Sequence, residues 1–412
     1  MMSLANTPSL GSLVAAARVL KPMLAAQALE AEQARDLPKK TVAALKEAGL
    51  HRVYMPRAFG GYEMDWGAHY AVARPVAEAC GAAGWITSLV FSHVMWIARL
   101  NGKVQDEYFS KKPDSIFATG SAGGGMLTPV AGGFKLTGRW AFLSGVSHAG
   151  GAMVIAKTEG AKIFSHFVLL LEGEYEIEPT WDSDGLRGTG SHHIRVTDRF
   201  IPAHRAMTRE EMTSGVPEGS RLHQSYVYRV KPAPYQKSWF AAPLLGAATG
   251  AMESYLDQTR ARVGALFGES IVTQTPVQVR IGESLAELET AELIFDRYCE
   301  FLHEKGAKGE DIEGDEYLRT KRQMAIGAQL CLSAANRLST MMGVTGQTAK
   351  NPVQRLYRDI RTISTHIELN WDHAMQPTGQ AKLGLPTGDP SVDGPMKLGP
   401  KSEEGRGVST RI

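Results

Sequence analysis

Ser144 closes the run W-A-F-L-S-G-V-S-H (residues 140–148), where an aromatic strand pattern gives way to Gly145, Ser147 and His148. A strand that ends in small hydroxyl residues brings its backbone and a hydroxyl against something planar or polar, and so predicts a ligand there. Two isolated histidines are the other groups able to move a proton near neutral pH. His93 lies in F-S-H-V-M-W and His366 in S-T-H-I-E-L-N-W, both on apolar helical patterns. Each reads either as a satisfied core histidine or as a proton-transfer group. Trp96, Trp239, Phe240 and Trp371 read as core unless a planar ligand reaches them.

Other chemistries lack their residues. No G-x-x-x-x-G-K-[ST] loop occurs, and neither G-S-A-G-G-G (120–125) nor G-L-R-G-T-G-S-H-H (185–193) is a dinucleotide fingerprint. Hydride from NAD(P)H would therefore have to arrive some other way. The nucleophile elbow G-x-S-x-G is missing. His366 and His373, expected on one helix, would stand roughly 10 Å apart at about 1.5 Å per residue. His192 and His193 would point to opposite faces of a strand. No metal site is expected. Cys80, Cys299 and Cys331 are too few and too scattered for a disulfide framework or a zinc cluster.

These groups need elements to position them. Residues 1–112 show helical periodicity, with a loop at Pro56, Gly60 and Gly61 and breaks at Pro75 and Gly81–Gly84. Residues 113–235 change texture to short glycine-punctuated runs, predicting a compact β domain in which a strand through Phe134 and Leu136 turns at Gly138 and restarts at Arg139. Residues 236–412 return to long helical patterns, including Val353–Trp371, as in a helix bundle with a mobile tail after Gly384. The fold class is α+β: helices, β domain, four-helix bundle. A net charge of +2 without basic stripes predicts neither nucleic acid nor membrane as partner. The apolar run Leu13–Ala26 carries Arg18 and Lys21 and is too short to span a bilayer, so a cytoplasmic location is expected.

Several strings, in order, carry a resemblance. They are C-G-A-A-G-W (80–85) followed by His93, W-A-F-L-S-G-V-S-H-A (140–149), G-L-R-G-T-G-S (185–191), F-I-P-A-H-R (200–205), and R-L-Y-R-D (355–359) followed by His366. The chain resembles the acyl-CoA dehydrogenase superfamily, and within it the oxygenase components of two-component flavin monooxygenases. That resemblance implies a homotetramer, and a flavin held between β domain and bundle. It also implies a separate NAD(P)H-dependent reductase that supplies reduced flavin, FMNH2 in preference to FADH2. The chemistry implied is hydroxylation of a small aromatic substrate, phenol- or indole-like, by O2 through a flavin C4a-hydroperoxide.

The resemblance also assigns residues. His366, Ser144 and His93 would be catalytic. Trp140, Phe142 and Ser144 would face the flavin ring, and Arg260 or Arg262 its phosphate. Phe91, Trp96, Trp239, Phe240, Glu368 and Trp371 would line the substrate. Straight-chain acyl-CoA dehydrogenases of the superfamily carry their base where this chain has Ile367, and other dehydrogenases place it on another bundle helix. Glu368 lies one residue off, about 100° around a helix, a poor substitute. Acyl-CoA oxidation is thus the second reading, and N- or S-oxygenation a variant of the first.

Overall fold

A computed structural model describes residues 7–111, 114–264, 268 and 270–394 of the chain. Its N-terminal part is helical, from Leu10–Val19 through Lys21–Ala34, Lys39–Glu47 and Ala68–Ala79 to Gly102–Lys111. Pro75 does not break its helix. It is buried within Ala68–Ala79, and the break falls at Cys80, whose backbone is extended. Packing there outweighs the intrinsic cost of a helix-interior proline, about 3 kcal/mol. From Ile86 the coil widens into a π turn (Ile86–Val90) and then tightens into a 3-10 turn (Phe91–His93). Such a change of pitch resets which side chains face inward, and it delivers His93 to the sheet. The stretch Gly81–Arg99 is apolar and long enough to cross a membrane, yet 94% of it is buried inside the fold, as a core helix would be.

Among the described residues, seven strands form one mixed sheet in the order β5-β6-β2-β1-β3-β4-β7. They are β1 (Ile116–Val130), β2 (Gly133–Leu143), β3 (Ala149–Thr158), β4 (His166–Leu171), β5 (Glu176–Glu178), β6 (His192–Pro202) and β7 (Ala206–Thr208). β1 and β3 run parallel, and the other pairs are antiparallel. The glycine run 120–125 lies inside β1, and Gly138 does not turn the chain. A Cβ at Gly125 would come within 2.5 Å of the Trp140 ring, and one at Gly138 within 2.6 Å of it. Both positions are small because the indole lies over them. The β2–β6 register slips twice, between Leu136 and Gly138 and again between Trp140 and Leu143.

Among the described residues, the bundle is made of Ala241–Arg260, Thr275–Lys308, Gly314–Met341 and Pro352–Ser364. The expected single helix Val353–Trp371 is three pieces. It stops at Ser364, His366 caps a 3-10 turn (Ile367–Leu369), and Trp371–Lys382 begins a new helix. Hydroxyls account for the stop. Ser364 Oγ donates to the Ile360 carbonyl and Thr365 Oγ1 to the Thr362 carbonyl, side-chain bonds that compete with the helix ladder. His366 and His373 are consequently not on one helix. The expected mobile tail beyond Gly384 falls mostly on residues 395–412, outside the described residues.

Sheet and bundle meet at one buried carboxylate. The Leu186 amide donates to Asp359 Oδ1 at 2.6 Å. Arg358 beside it donates to the Asp184 carbonyl and pairs with Glu32. Gly185 and Gly81 let the backbones close on this point: a Cβ at Gly185 would strike the Arg358 carbonyl, and one at Gly81 would lie 2.5 Å from Asp359 Oδ2.

Two outcomes follow from this contact. Gly185→Ala should lower stability by about 1–3 kcal/mol through overpacking, read as a fall in the thermal midpoint. Burial raises the Asp359 carboxyl from its ordinary 3.8 to about 6, against the opposing pull of the Leu186 amide. A carboxyl raised in the native state favours folding while protonated, below about pH 4. That contribution is lost as pH rises through about 6, a change of up to about 3 kcal/mol. Asp359→Asn keeps an oxygen for the Leu186 amide and cannot ionise. Its thermal midpoint relative to wild type should therefore climb between pH 4 and 7, and an unchanged difference would refute the assignment.

Candidate active site

Ser144 stands where β2 ends and is nearly buried. The Trp85 indole Nε1 donates to its Oγ at 3.0 Å, and Ser191 Oγ lies 2.7 Å away. The chain of hydroxyls continues from Ser191 to Thr189 Oγ1 at 2.7 Å and from Thr189 to the Leu186 carbonyl at 2.8 Å. An indole N–H can only donate and a carbonyl can only accept. With Thr189 donating to Leu186, Ser191 must donate to Thr189 and Ser144 to Ser191. Ser144 then has its proton engaged and one acceptor lone pair open. The residues that hold Ser144 thus come from a helix (Trp85) and from the 185–191 loop docked by Asp359.

Phe142 is carried outward by the second slip of β2. Its φ is +65°, in the left-handed region that a bulky residue rarely enters. Its side chain is 58% exposed, edged by Trp181 and His193 at ring distances of 6.0 and 5.5 Å. An exposed aromatic ring held by a strained backbone at a strand end suits a flat apolar ligand. Trp140 does not share this face. It is fully buried within the sheet, with Nε1 donating to the Ile155 carbonyl at 2.7 Å; regular alternation would put positions 140 and 142 on one face, and the slip between Trp140 and Leu143 separates them. Its expected place against a flavin ring is a correction: Trp140 is core. Arg260 is exposed and paired with Asp257, and Arg262 donates to the Met341 carbonyl. Neither joins Ser144 within the chain.

His366 lies beside Phe240, with ring centroids 4.4 Å apart, and 6.3 Å from Trp85. Its Nδ1 accepts from the Glu368 amide at 3.2 Å, capping the 3-10 turn. The amide can only donate, so the neutral ring carries its proton on Nε2. Burial lowers the imidazole's pKa and the Glu368 carboxylate partly offsets that, so the neutral form dominates at pH 7. His366 is therefore built to donate from Nε2. Glu368 is not on a helix, so the argument from a 100° rotation does not apply. Its carboxylate instead pairs with Lys237 Nζ at 3.2 Å. Ile367, at the dehydrogenase base position, is 58% exposed. Trp371 opens the next helix and is 43% exposed, so it is no core residue.

His93 has the opposite tautomer. Its Nδ1 lies 3.1 Å from the Phe117 carbonyl, which can only accept, so Nδ1 carries the proton and Nε2 presents a lone pair. Thr119 Oγ1 is 3.4 Å from that Nε2. Burial lowers the pKa of this histidine to about 4. Trp239 meets His93 edge to face at 5.4 Å and Trp96 at 6.4 Å, and its own Nε1 is buried without a partner among the described residues. Phe240 reaches Trp85 at 5.5 Å. Ser144, Trp85, Phe240 and His366 are thus linked in one direction, and His93, Trp239 and Trp96 in another. Both sets meet at the 3-10 turn Lys237–Phe240. Phe91 faces away, edge-on to His51, whose burial lowers its pKa to about 4.

Trp85, Thr189, Ser191 and Lys237 escaped the reading of single residues, though the first three sit inside the strings C-G-A-A-G-W and G-L-R-G-T-G-S. Lys237 had a quieter signal, a lone lysine in the run Y-Q-K-S-W-F-A-A-P-L-L. An open cleft of about 570 Å³ lined by Lys39, Lys46, Arg52, Asp114 and His148 holds none of the candidate residues. No cluster of three or more potential metal ligands occurs among the described residues.

Residues 13–110 match the acyl-CoA dehydrogenase N-terminal domain and residues 238–371 its C-terminal domain. The chain is 30% identical to the oxygenase component of p-hydroxyphenylacetate 3-hydroxylase from Acinetobacter baumannii, over 92% of each chain. It is also 30% identical to the oxygenase component of the FADH(2)-dependent resorcinol hydroxylase from Rhizobium sp. (strain MTP-10005), over 87% of this chain and 90% of that one. The crystal structure of 3-HSA hydroxylase from Rhodococcus sp. RHA1 superposes with a TM-score of 0.85 at 27% identity, covering 92% of this chain and 99% of that one. The chain belongs to the acyl-CoA dehydrogenase superfamily, in its branch of flavin-dependent monooxygenase oxygenase components.

Proposed function

We propose that this protein hydroxylates an aromatic ring, phenolic or indole-like, with O2 and reduced flavin delivered by a separate NAD(P)H-dependent reductase. The observation that carries the reading is the pairing of Ser144 with His366 around the Trp85 indole, beside the exposed, strained Phe142. Phe142 and the open lone pair of Ser144 fit a flat ring that presents an N–H, as a reduced flavin does at N5 and an oxidised one does not. When bound, the flavin supplies the electrons that activate O2.

The chain's own residues do the rest. Ser144 Oγ accepts a hydrogen bond from the ring N–H and is held in place by Trp85 and Ser191. His366 keeps a proton at Nε2 for an oxygen of the bound reactants, rather than removing one from a phenol. His93 Nε2 accepts from a phenolic O–H in place of its long contact with the Thr119 hydroxyl, and orients the ring. Trp96, Trp239 and Phe240 exclude water, which strengthens each of these bonds. The named activities of relatives on p-hydroxyphenylacetate and resorcinol favour a phenol. FMNH2 is the expected form, with FADH2 the alternative raised by the resorcinol hydroxylase. A homotetramer fits the exposed Val279, Leu285 and Leu293 on the long helix Thr275–Lys308. Flavin phosphates would then reach a neighbouring subunit. Acyl-CoA oxidation is disfavoured because Glu368 is bound by Lys237 and Ile367 is no base.

With chemically reduced FMN or FAD, O2 and a panel of phenols and indoles, the protein should form hydroxylated product in the absence of any reductase. Bleaching of bound oxidised flavin by an acyl-CoA, with no hydroxylation, would overturn the reading. Ser144→Ala should shift the products from hydroxylated ring towards H2O2, with a loss of hydroxylation of about 10²-fold. His366→Ala should slow hydroxylation by about 10²-fold or more at saturating flavin, and wild-type turnover in that variant would remove His366 from the mechanism.

A further inference from the structure

The side chain of Lys237 is 2% exposed, a place where an ammonium is costly unless it is bound on several sides. Its Nζ donates to the Ala233 carbonyl at 2.6 Å and lies 3.4 Å from the Tyr317 hydroxyl. The Tyr317 ring lies under it at 4.9 Å. One carboxylate stands within ion-pair distance among the described residues, that of Glu368 at 3.2 Å. In a 3-10 turn, side chains three apart eclipse one another. Lys237 and Phe240 are the ends of such a turn, and they take the two ends of the His366 segment. Phe240 carries the imidazole at 4.4 Å, and Lys237 carries the carboxylate two residues further on. The Glu368 amide closes the loop on His366 Nδ1. Leu369 anchors the segment in the core, while Thr365, Ile367 and Asn370 face solvent, so these contacts are what fix its His366 end.

We propose that Lys237 is the positioning residue of the His366 turn: its buried ammonium binds Glu368 and, with Phe240, fixes where the imidazole stands and what charge it feels. This rests on the reading that His366 acts on the bound reactants. The groups facing the turn are Glu368 itself, Lys237 from the 3-10 turn, and the phenols of Tyr317 and Tyr298 from the two long helices. Burial raises the pKa of both phenols, so they stay neutral. Lys321 and Asp389, paired with each other at 3.7 Å, reach the same Tyr317 ring. Glu368 is the charge that raises the imidazole's pKa, and Lys237 bears on it as the cation paired with Glu368.

The test is a titration of His366 in the protein carrying 13C-labelled histidine, its resonance identified by its loss in His366→Asn. Lys237→Met keeps the apolar stem and frees the Glu368 charge, so the imidazole pKa should rise by about 1 unit. Glu368→Gln should lower it, and the double variant should return it towards wild type. A merely structural role for Lys237 would not move the two single variants in opposite directions. Unmoved titrations, or shifts of the same sign, would overturn the proposal. Should Lys237→Met fail to fold, Glu368→Gln decides alone: no downward shift refutes it. The titration is independent of turnover. Wild-type hydroxylation by His366→Ala would sink the catalytic reading while leaving the positioning result standing.

Discussion

The hydrogen bond from the Leu186 amide to the buried Asp359 carboxylate sets how sheet and bundle meet, and the site inherits its geometry from that contact. A carboxylate without solvent needs partners to the limit of its geometry, and here backbone supplies one while glycines at 81 and 185 let the chains close. The loop it grips runs on to Thr189 and Ser191, which orient Ser144. The helix that bears it ends five residues later, where the turn holding His366 begins. One buried acid thus registers a hydroxyl from the sheet against an imidazole from the bundle.

The two histidines show how a neutral ring is given a fixed role. A carbonyl at Nδ1 leaves His93 with a lone pair to offer, and an amide at Nδ1 leaves His366 with a proton to offer. Burial keeps both uncharged near neutrality. Donor and acceptor are set by the backbone, not by solution pH.

Much of this was legible in the amino-acid sequence. Helical periodicity and glycine-punctuated runs placed the three regions, and the ordered strings around Ser144 and His366 placed the family. What escaped were features that neighbours decide. Alternation along β2 could not be phased without the slip between Trp140 and Leu143, so Trp140 was assigned to a face it does not share with Phe142. The pattern Val353–Trp371 reads as one helix because apolar spacing does not register the hydroxyls that end it. Lys237 stands out in sequence only as a lone lysine in an apolar run, and its role depends on a carboxylate distant in sequence that the fold brings onto it.

Phe142 has a different bearing. A phenylalanine at φ +65° carries a backbone cost that glycine would not, and its exposed ring gains little from burial in return. Selection for thermal endurance alone would drift this position towards glycine, and would erase the exposed ring that the proposed reading sets against the flavin. On that reading the residue marks a trade between durability and activity, and anyone hardening the enzyme for process conditions should leave it alone.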